Sequence, residues 1–511
     1  MSWLLTLLTF LPLVGAAVLL LGGRAVRDEA ARWIALGTTV AAFLVALAVY
    51  GRFDPALAGF QLVERATWVP AIGLHYVVGI DGVSLWLVLL TAFLFPIAVL
   101  ASWTIGRDVR LYMVAMLVLE TAVIGSFLAL DLLLFFLFFE AILVPMYLLI
   151  GGWGGERRVR AAVKFFLFTM AGSAFLLVGI LVLWARSSGL ADGPTFDLRQ
   201  LLAVAASLPP ATARWLFLAF LVGFAVKVPL VPLHTWLPDA HTEAPTAGSV
   251  LLAGVLLKVG TYGLVRFNLP LFPEASRAFA TLVSILAILG ILYGAVCAMM
   301  QSDVKRLVAY SSVSHLGFVV LGIFAFTDQS LTGGVLQMVN HGLATGALFL
   351  VVGMLYERTH TRELGAMGGL AGAMPWLLGA YLVAVFASVG LPGLNSFVGE
   401  FLVIVGTFAV HRWFGTLAAL GVILAAIYLL WSYQRVAFGP IRDEHRRLAD
   451  LDLREAVVLA PVLSLLLVFG VAPGVLTEAI APAARSVVAR VAGESVDIGA
   501  VAGATEEASP P

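Results

Sequence analysis

The sequence predicts an all-α polytopic membrane protein. It has about 14 transmembrane helices, with two inverted five-helix repeats that each contain a proline-broken helix. Three observations carry this. The 511-residue chain is 61% hydrophobic and 12% charged, with mean hydropathy +1.04, whereas soluble domains carry roughly 25% charge. Apolar stretches long enough to cross a bilayer, about 20 residues, recur along the chain. Two of the longest are interrupted by proline in corresponding places. An ordinary cytosolic enzyme and a disordered chain are excluded. With 30 Lys+Arg against 30 Asp+Glu, no electrostatic footprint for nucleic acid exists. The single cysteine, Cys297, excludes a disulfide framework, CxxC redox chemistry and an Fe–S cluster held by this chain alone.

The expected spans, in order, are 3–22, 32–50, 81–103, 110–128, 131–150, 161–185, 213–238, 246–267, 276–300, 305–326, 330–356, 374–410, 415–438 and 454–478. The first is not a cleaved signal peptide, because Arg24 and Arg27 follow it rather than precede it. Asp81, Asp131 and Asp303 fall at helix starts, where capping and the helix dipole account for them. Trp103, Trp153 and Trp431 near span ends fit an interfacial belt. Residues 485–511, ending in EEASPP, read as a flexible end. Eighteen basic residues lie in odd-numbered connections, against ten in even-numbered ones and the tail. The positive-inside rule then places the odd connections in the cytoplasm and both termini outside.

Spans near 110, 131, 161, 213 and 246 have counterparts near 276, 305, 330, 374 and 415. Five is odd, so the second copy enters the membrane upside down. The division is 1–109 (three helices), 110–275 (first repeat), 276–438 (inverted repeat) and 439–511 (last helix and tail). The strongest correspondence is between LVGFAVKVPLVPLHTWLPDAH and VAVFASVGLPGLNSFVGEFL, broken at Pro229/Pro232 and at Pro392. Proline removes a backbone donor and clashes with the preceding turn. Freed backbone groups cannot face lipid, so they line a cavity or pack in protein. Paired discontinuous helices point to an ion site.

Eight ionisable groups lie at membrane depth: Glu120, Glu140, Lys227, His234, Lys258, His315, His341 and Glu400. Each charged one costs at least ~2.5–3.5 kcal/mol on insertion scales. The competing structural reading is that Glu–Lys pairs fix helix register and that a lone histidine is a hydrogen-bonded core residue. Proton transfer is favoured because Glu, Lys and His alternate along the chain. Burial and opposite charge push their proton affinities in opposing directions. Glu140 and Lys227 are expected to pair as a gate, with His315 and His341 as a relay. The histidines sit on different helices and no HExxH or CxxC spacing occurs, so no metal site is expected.

LFFEAILVPMYLLIGGWG, KVPLVPLHTWLPDAHTEAPTAGSVLLAGVLLKVGTYGL, DVKRLVAYSSVSHLGF and LPGLNSFVGEF, spread over roughly 110–440, are specific. They resemble the antiporter-like subunits of proton-pumping NADH:quinone oxidoreductase, respiratory complex I. Glu400 departs from the lysine of the L-type and N-type chains, and no lateral helix follows the last span, unlike the L type. The resemblance implies Glu140 and Lys227 as the input pair, with Glu120 as an auxiliary acid and His234 beside the break. It implies Lys258 as the central relay, His315 and His341 as the continuation, and Glu400 at the exit. It also implies a bacterial inner-membrane location and other complex I membrane subunits as partners, especially the neighbouring L-type and N-type chains. The bilayer is its surroundings, and no nucleic acid is a partner. This chain would hold no cofactor, with FMN, Fe–S clusters and quinone in partner subunits. The alternatives are a subunit of a multisubunit Na+/H+ antiporter or membrane-bound hydrogenase, and a passive spacer.

Overall fold

The computed structural model describes residues 3–191, 193–496 and 499. Helices α1 (Leu4–Leu21) and α2 (Asp28–Tyr50) lead into an antiparallel hairpin, β1 (Gln61–Val69) and β2 (Leu74–Ile80). Then come α3 (Gly82–Ala101), α4 (Val109–Leu128), α5 (Leu132–Ala141), α6 (Leu143–Trp153), α7 (Arg158–Arg186) and the short α8 (Leu198–Ala206). The first broken span is α9 (Pro210–Lys227) followed by α10 (Trp236–Glu243). One continuous span, Thr246–Leu271, contains α11 (Thr246–Leu251), α12 (Leu257–Gly263) and α13 (Leu269–Leu271), separated by π-helical turns at Leu252–Leu256 and Leu264–Asn268. The chain continues through α14 (Pro273–Met299), α15 (Val304–Phe324), α16 (Asp328–Thr359) and the single turn α17 (Leu370–Ala373). The second broken span is α18 (Pro375–Val389) and α19 (Asn395–Val410). Last are α20 (Arg412–Ala437), α21 (Leu453–Val471) and α22 (Gly474–Ala492).

Among the described residues, thirteen helices are long and apolar enough to cross a membrane, and α18/α19 make one further, interrupted crossing. The polar contacts respect this count, because they join connections of the same parity. On the odd face, Arg32 donates to Ile105 O, Trp153 to Arg107 O, Arg362 pairs with Asp303, and Arg358 with Glu455. On the even face, Trp184 donates to Ile72 O, Arg65 pairs with Asp197, and Arg277 donates to Val491 O. A missed or extra span would mix the two sets.

The aspartates act as caps and do more. Asp81 accepts from Val83 N and Ser84 N at the start of α3, an interaction worth about 1 kcal/mol. It also pairs at 2.5 Å with the buried Arg266. Asp303 caps α15. Asp131 caps α5 and accepts from His75 N on β2, tying the hairpin to the helix start. Burial pushes its carboxyl up to about 7. The backbone donors Leu134, His75 and Leu133 oppose this, and the neighbouring Asp197 charge adds to it.

The all-α membrane fold is as expected, with one two-stranded hairpin added. One expectation is corrected: the last segment is not flexible from 485, because α22 runs to Ala492 and packs Ala483, Ala484 and Val487 inward. In the rest of that tail, 497, 498 and 500–511 lie outside the described residues. At the centre stands α16, whose window of most apolar residues is entirely buried. Small residues let its neighbours approach: a side chain at Gly333 would meet Gly399 O at 2.9 Å.

Candidate functional site

Both helix breaks are built as the prolines require, and their freed groups are satisfied inside the protein. After α9, Leu230 N turns back to Ala225 O at 2.8 Å, and Trp236 Nε1 donates to Val226 O at 2.9 Å. After α18, Gly390 and Gly393 take φ of 79° and 92°, a region closed to most side chains. Asn395 and Asn340 then clasp across helices. Asn340 Nδ2 donates to Asn395 O at 2.8 Å, and Asn395 Nδ2 to Asn340 O at 3.1 Å.

Four of the sequence-selected groups form one series. Lys258 Nζ donates to Ala253 O inside the first π-helical turn and lies 2.7 Å from His341 Nδ1. The centres of the His341 and His315 rings are 5.9 Å apart, and the Nε2 atom of each has no hydrogen-bond partner. His315 Nδ1 meets Glu400 Oε1 at 2.9 Å, and Gln337 Nε2 donates to the same oxygen at 3.0 Å. Glu400 folds back over the break, so that a side chain at Gly390 would meet its Oε2 at 3.2 Å. All four residues are at most 3% exposed. The series joins α12, α16, α15 and α19 across the middle of the protein. Widened π turns occur mostly as short bulges at functional sites, and here the widening gives the lysine its backbone acceptor.

The remaining groups stand apart. Glu140 and Lys227 do not form the expected contact pair: Lys227 Nζ instead sits over the Phe139 ring, 4.4 Å from its centre, and has no hydrogen-bond partner. Phe139 precedes Glu140 on α5, and successive helical residues point about 100° apart. A desolvated cation–π contact contributes about 2 kcal/mol, nearly offsetting the ~2.5–3.5 kcal/mol of burying the cation. That explains how Lys227 is held without a touching carboxylate. Glu120 is fully buried, and neither of its carboxylate oxygens has a partner, Glu140 included. His234 lies in the first break with its ring edge-on to Tyr293 at 5.3 Å, away from the other histidines. The first half is linked to the series by packing: a side chain at Gly260 would meet Phe224 O at 3.0 Å, so α12 presses on the end of α9 that carries Lys227.

Sequence reasoning missed several members. Gln337, Asn340 and His341 share one face of α16 at i, i+3 and i+4, a spacing that was legible. His241 on α10 is fully buried, stacked on Phe349 at 4.7 Å, with neither ring nitrogen partnered. Lys305 donates to Ala244 O at 2.5 Å. It borders a cavity of about 450 Å³ that opens on the odd face between Glu243, Thr246, Gly353 and Arg362. Chemically, the site offers an amine, two imidazoles and a carboxylate in succession, plus a cavity open on the odd face. No group of three or more potential metal ligands occurs among the described residues.

Comparison with known proteins agrees with this geometry. Residues 129–427 match the family model described as NADH:quinone oxidoreductase/Mrp antiporter, TM. NADH-quinone oxidoreductase subunit M of Rhodobacter capsulatus is 46% identical over 519 residues, covering 99% of this chain and 99% of that protein. A chain of respiratory complex I from Thermus thermophilus with bound NADH superposes with TM-score 0.87 at 35% identity, over 95% of this chain and 99% of that one. A chain of the Mrp complex from Dietzia sp. DQ12-45-1b gives TM-score 0.82 at 25% identity, over 94% of this chain and 52% of that one.

Proposed function

The chain belongs to the NADH:quinone oxidoreductase/Mrp antiporter family of transmembrane proteins, and on that premise we propose how it moves protons. It is the antiporter-like, proton-translocating membrane subunit of a bacterial respiratory NADH:quinone oxidoreductase, and its partners are other subunits of that complex. In our reading those partners include L-type and N-type chains on either side. FMN, Fe–S clusters and quinone belong to partner subunits, and this chain carries protons only. Residues 110–275 and 276–438 act as its two halves.

Protons enter from the odd face and reach Lys258. They pass through His341 and His315 and leave from Glu400, while Glu140 and Lys227, with Glu120 behind them, set the charge that gates the transfer. His234 lines the first break. The single observation that carries this reading is the order Lys258–His341–His315–Glu400, with contacts of 2.7 Å and 2.9 Å at its two ends and ring centres 5.9 Å apart in the middle. Each member can be a donor in one state and an acceptor in the next, except that Lys258 accepts only when neutral. Moving one charge against 100 mV requires ~2.3 kcal/mol. In this reading the charge movement that gates the transfer is Lys227 swinging from Phe139 toward Glu140.

The test uses the whole complex in liposomes. Glu140→Gln and Lys227→Ala are expected to leave the complex assembled and to collapse proton uptake coupled to quinone reduction. Normal pumping in both variants would refute these roles. A multisubunit Na+/H+ antiporter would instead co-purify with small antiporter chains and no redox subunits.

A further inference from the structure

Between α2, α3, α16 and α21, away from the proton series, lies a second cavity of about 240 Å³. Its floor is Trp86, Val339, Leu343 and Phe469, all at most 9% exposed, and its lip is Leu47 and Tyr50, each 43% exposed. The cavity is lined by apolar and aromatic side chains, yet the Trp86 indole Nε1 is buried and has no hydrogen-bond partner. A buried, unmade hydrogen bond is costly, so such a donor implies an acceptor. Two rings hold the indole: Tyr50 at 5.5 Å and Phe469 at 6.0 Å.

We propose that this is a binding site for one membrane glycerophospholipid, with an acyl tail in the groove and an ester carbonyl accepting from Trp86 Nε1. Depth selects that ligand. Trp86 is four residues into α3, and Tyr50 is the last residue of α2. At 1.5 Å per residue the indole lies about 6 Å inside the even-face ends of these helices, in the zone where Trp and Tyr gather beside lipid headgroups. The lip opens sideways to the bilayer through Leu47 and Tyr50. A lone donor in an apolar cleft fixes orientation, as in ligand pockets generally. The bound tail packs on Val339 and Leu343, two positions either side of His341 and therefore on the opposite face of α16.

The test reconstitutes the intact complex in nanodiscs with a phospholipid whose acyl chain carries a photoactivatable diazirine, and maps labelled peptides by mass spectrometry. Labelling is expected at 339–343 and 465–475, above the level on the exposed face of α14 (Leu282, Leu289, Val296). The ether-linked analogue, which lacks the carbonyl, should label the groove roughly two- to tenfold less at limiting lipid, the range set by one hydrogen bond. In Trp86→Phe the ester and ether lipids should label equally. Leu343→Trp, which fills the groove, should abolish labelling there. The proposal is overturned by groove labelling no higher than on α14, by equal ester and ether labelling of the unsubstituted complex, or by displacement of the lipid by an equimolar quinone analogue. The ester/ether comparison needs no variant, so a folding defect cannot mask the result.

Discussion

Replacing Lys258 with methionine separates a proton-carrying role from a packing role. Methionine is unbranched and of similar length, so it fills the same space between the two π-helical turns. The change leaves His341 Nδ1 and Ala253 O without the lysine donor, at about 1–3 kcal/mol for each buried unsatisfied group. It also removes a fully buried amine, relieving up to ~2.5–3.5 kcal/mol. The two effects oppose each other and are of similar size, so stability changes by no more than a few kcal/mol and the complex assembles. On the proposed route Lys258 is the step between the odd-face inlet and His341, so transfer is expected to be lost. Loss of one positioned acid–base group costs ~10²–10⁴ in rate. Blue-native gels report assembly, and quenching of a pH-sensitive dye in proteoliposomes reports pumping. Assembly near the unsubstituted level with pumping abolished is expected. A variant that pumps normally, or whose only defect is failure to assemble, refutes the reasoning.

Two further predictions concern the ends of the spans. Burial pushes the Asp131 carboxyl up to about 7 in the folded chain, from an ordinary value of 3.8. Between those values the unfolded chain is ionised and the folded one is not, so the carboxyl's contribution is lost as pH rises from about 4 to 7 and is level above. The slope is at most ~1.4 kcal/mol per pH unit. Asp131→Asn keeps the cap acceptor and should flatten the dependence of thermal unfolding on pH across that window; an unchanged slope would contradict it. Arg266→Met strands Asp81 as a buried unpaired carboxylate and should cost about 3–5 kcal/mol, seen as lost assembly. The double change with Asp81→Asn should restore most of the loss, and failure to do so would show that the pair contributes through something other than charge compensation.

The sequence disclosed the membrane class, the span positions and both breaks, because hydropathy and in-span proline are strong local signals. It also disclosed that Lys258, His315, His341 and Glu400 lie inside, since a charge at membrane depth stands out in an apolar run. Which of them touch was not legible. The Lys258–His341 contact depends on π-helical turns whose sequences, LAGVL and LVRFN, carry no signature distinguishing them from ordinary helix. Gln337 was passed over because neutral polar residues are common in spans, although its helical spacing from Asn340 and His341 pointed inward. That the Phe139 ring holds the Lys227 ammonium beside Glu140 was not legible either, because an aromatic residue next to a carboxylate carries no such signal in an apolar run. The hairpin 61–80 was missed because its strands are interrupted by bulges and its turn, PAIG, is not a two-residue hairpin type.

The central claim is that Glu400 changes protonation during turnover. Infrared difference spectroscopy of the reconstituted complex, triggered by NADH, observes this directly through the carboxylic acid C=O stretch. The account predicts a carboxyl band that appears with turnover and is missing in Glu400→Gln, while the complex remains assembled. Identical difference bands in the unsubstituted and Glu400→Gln complexes would contradict it.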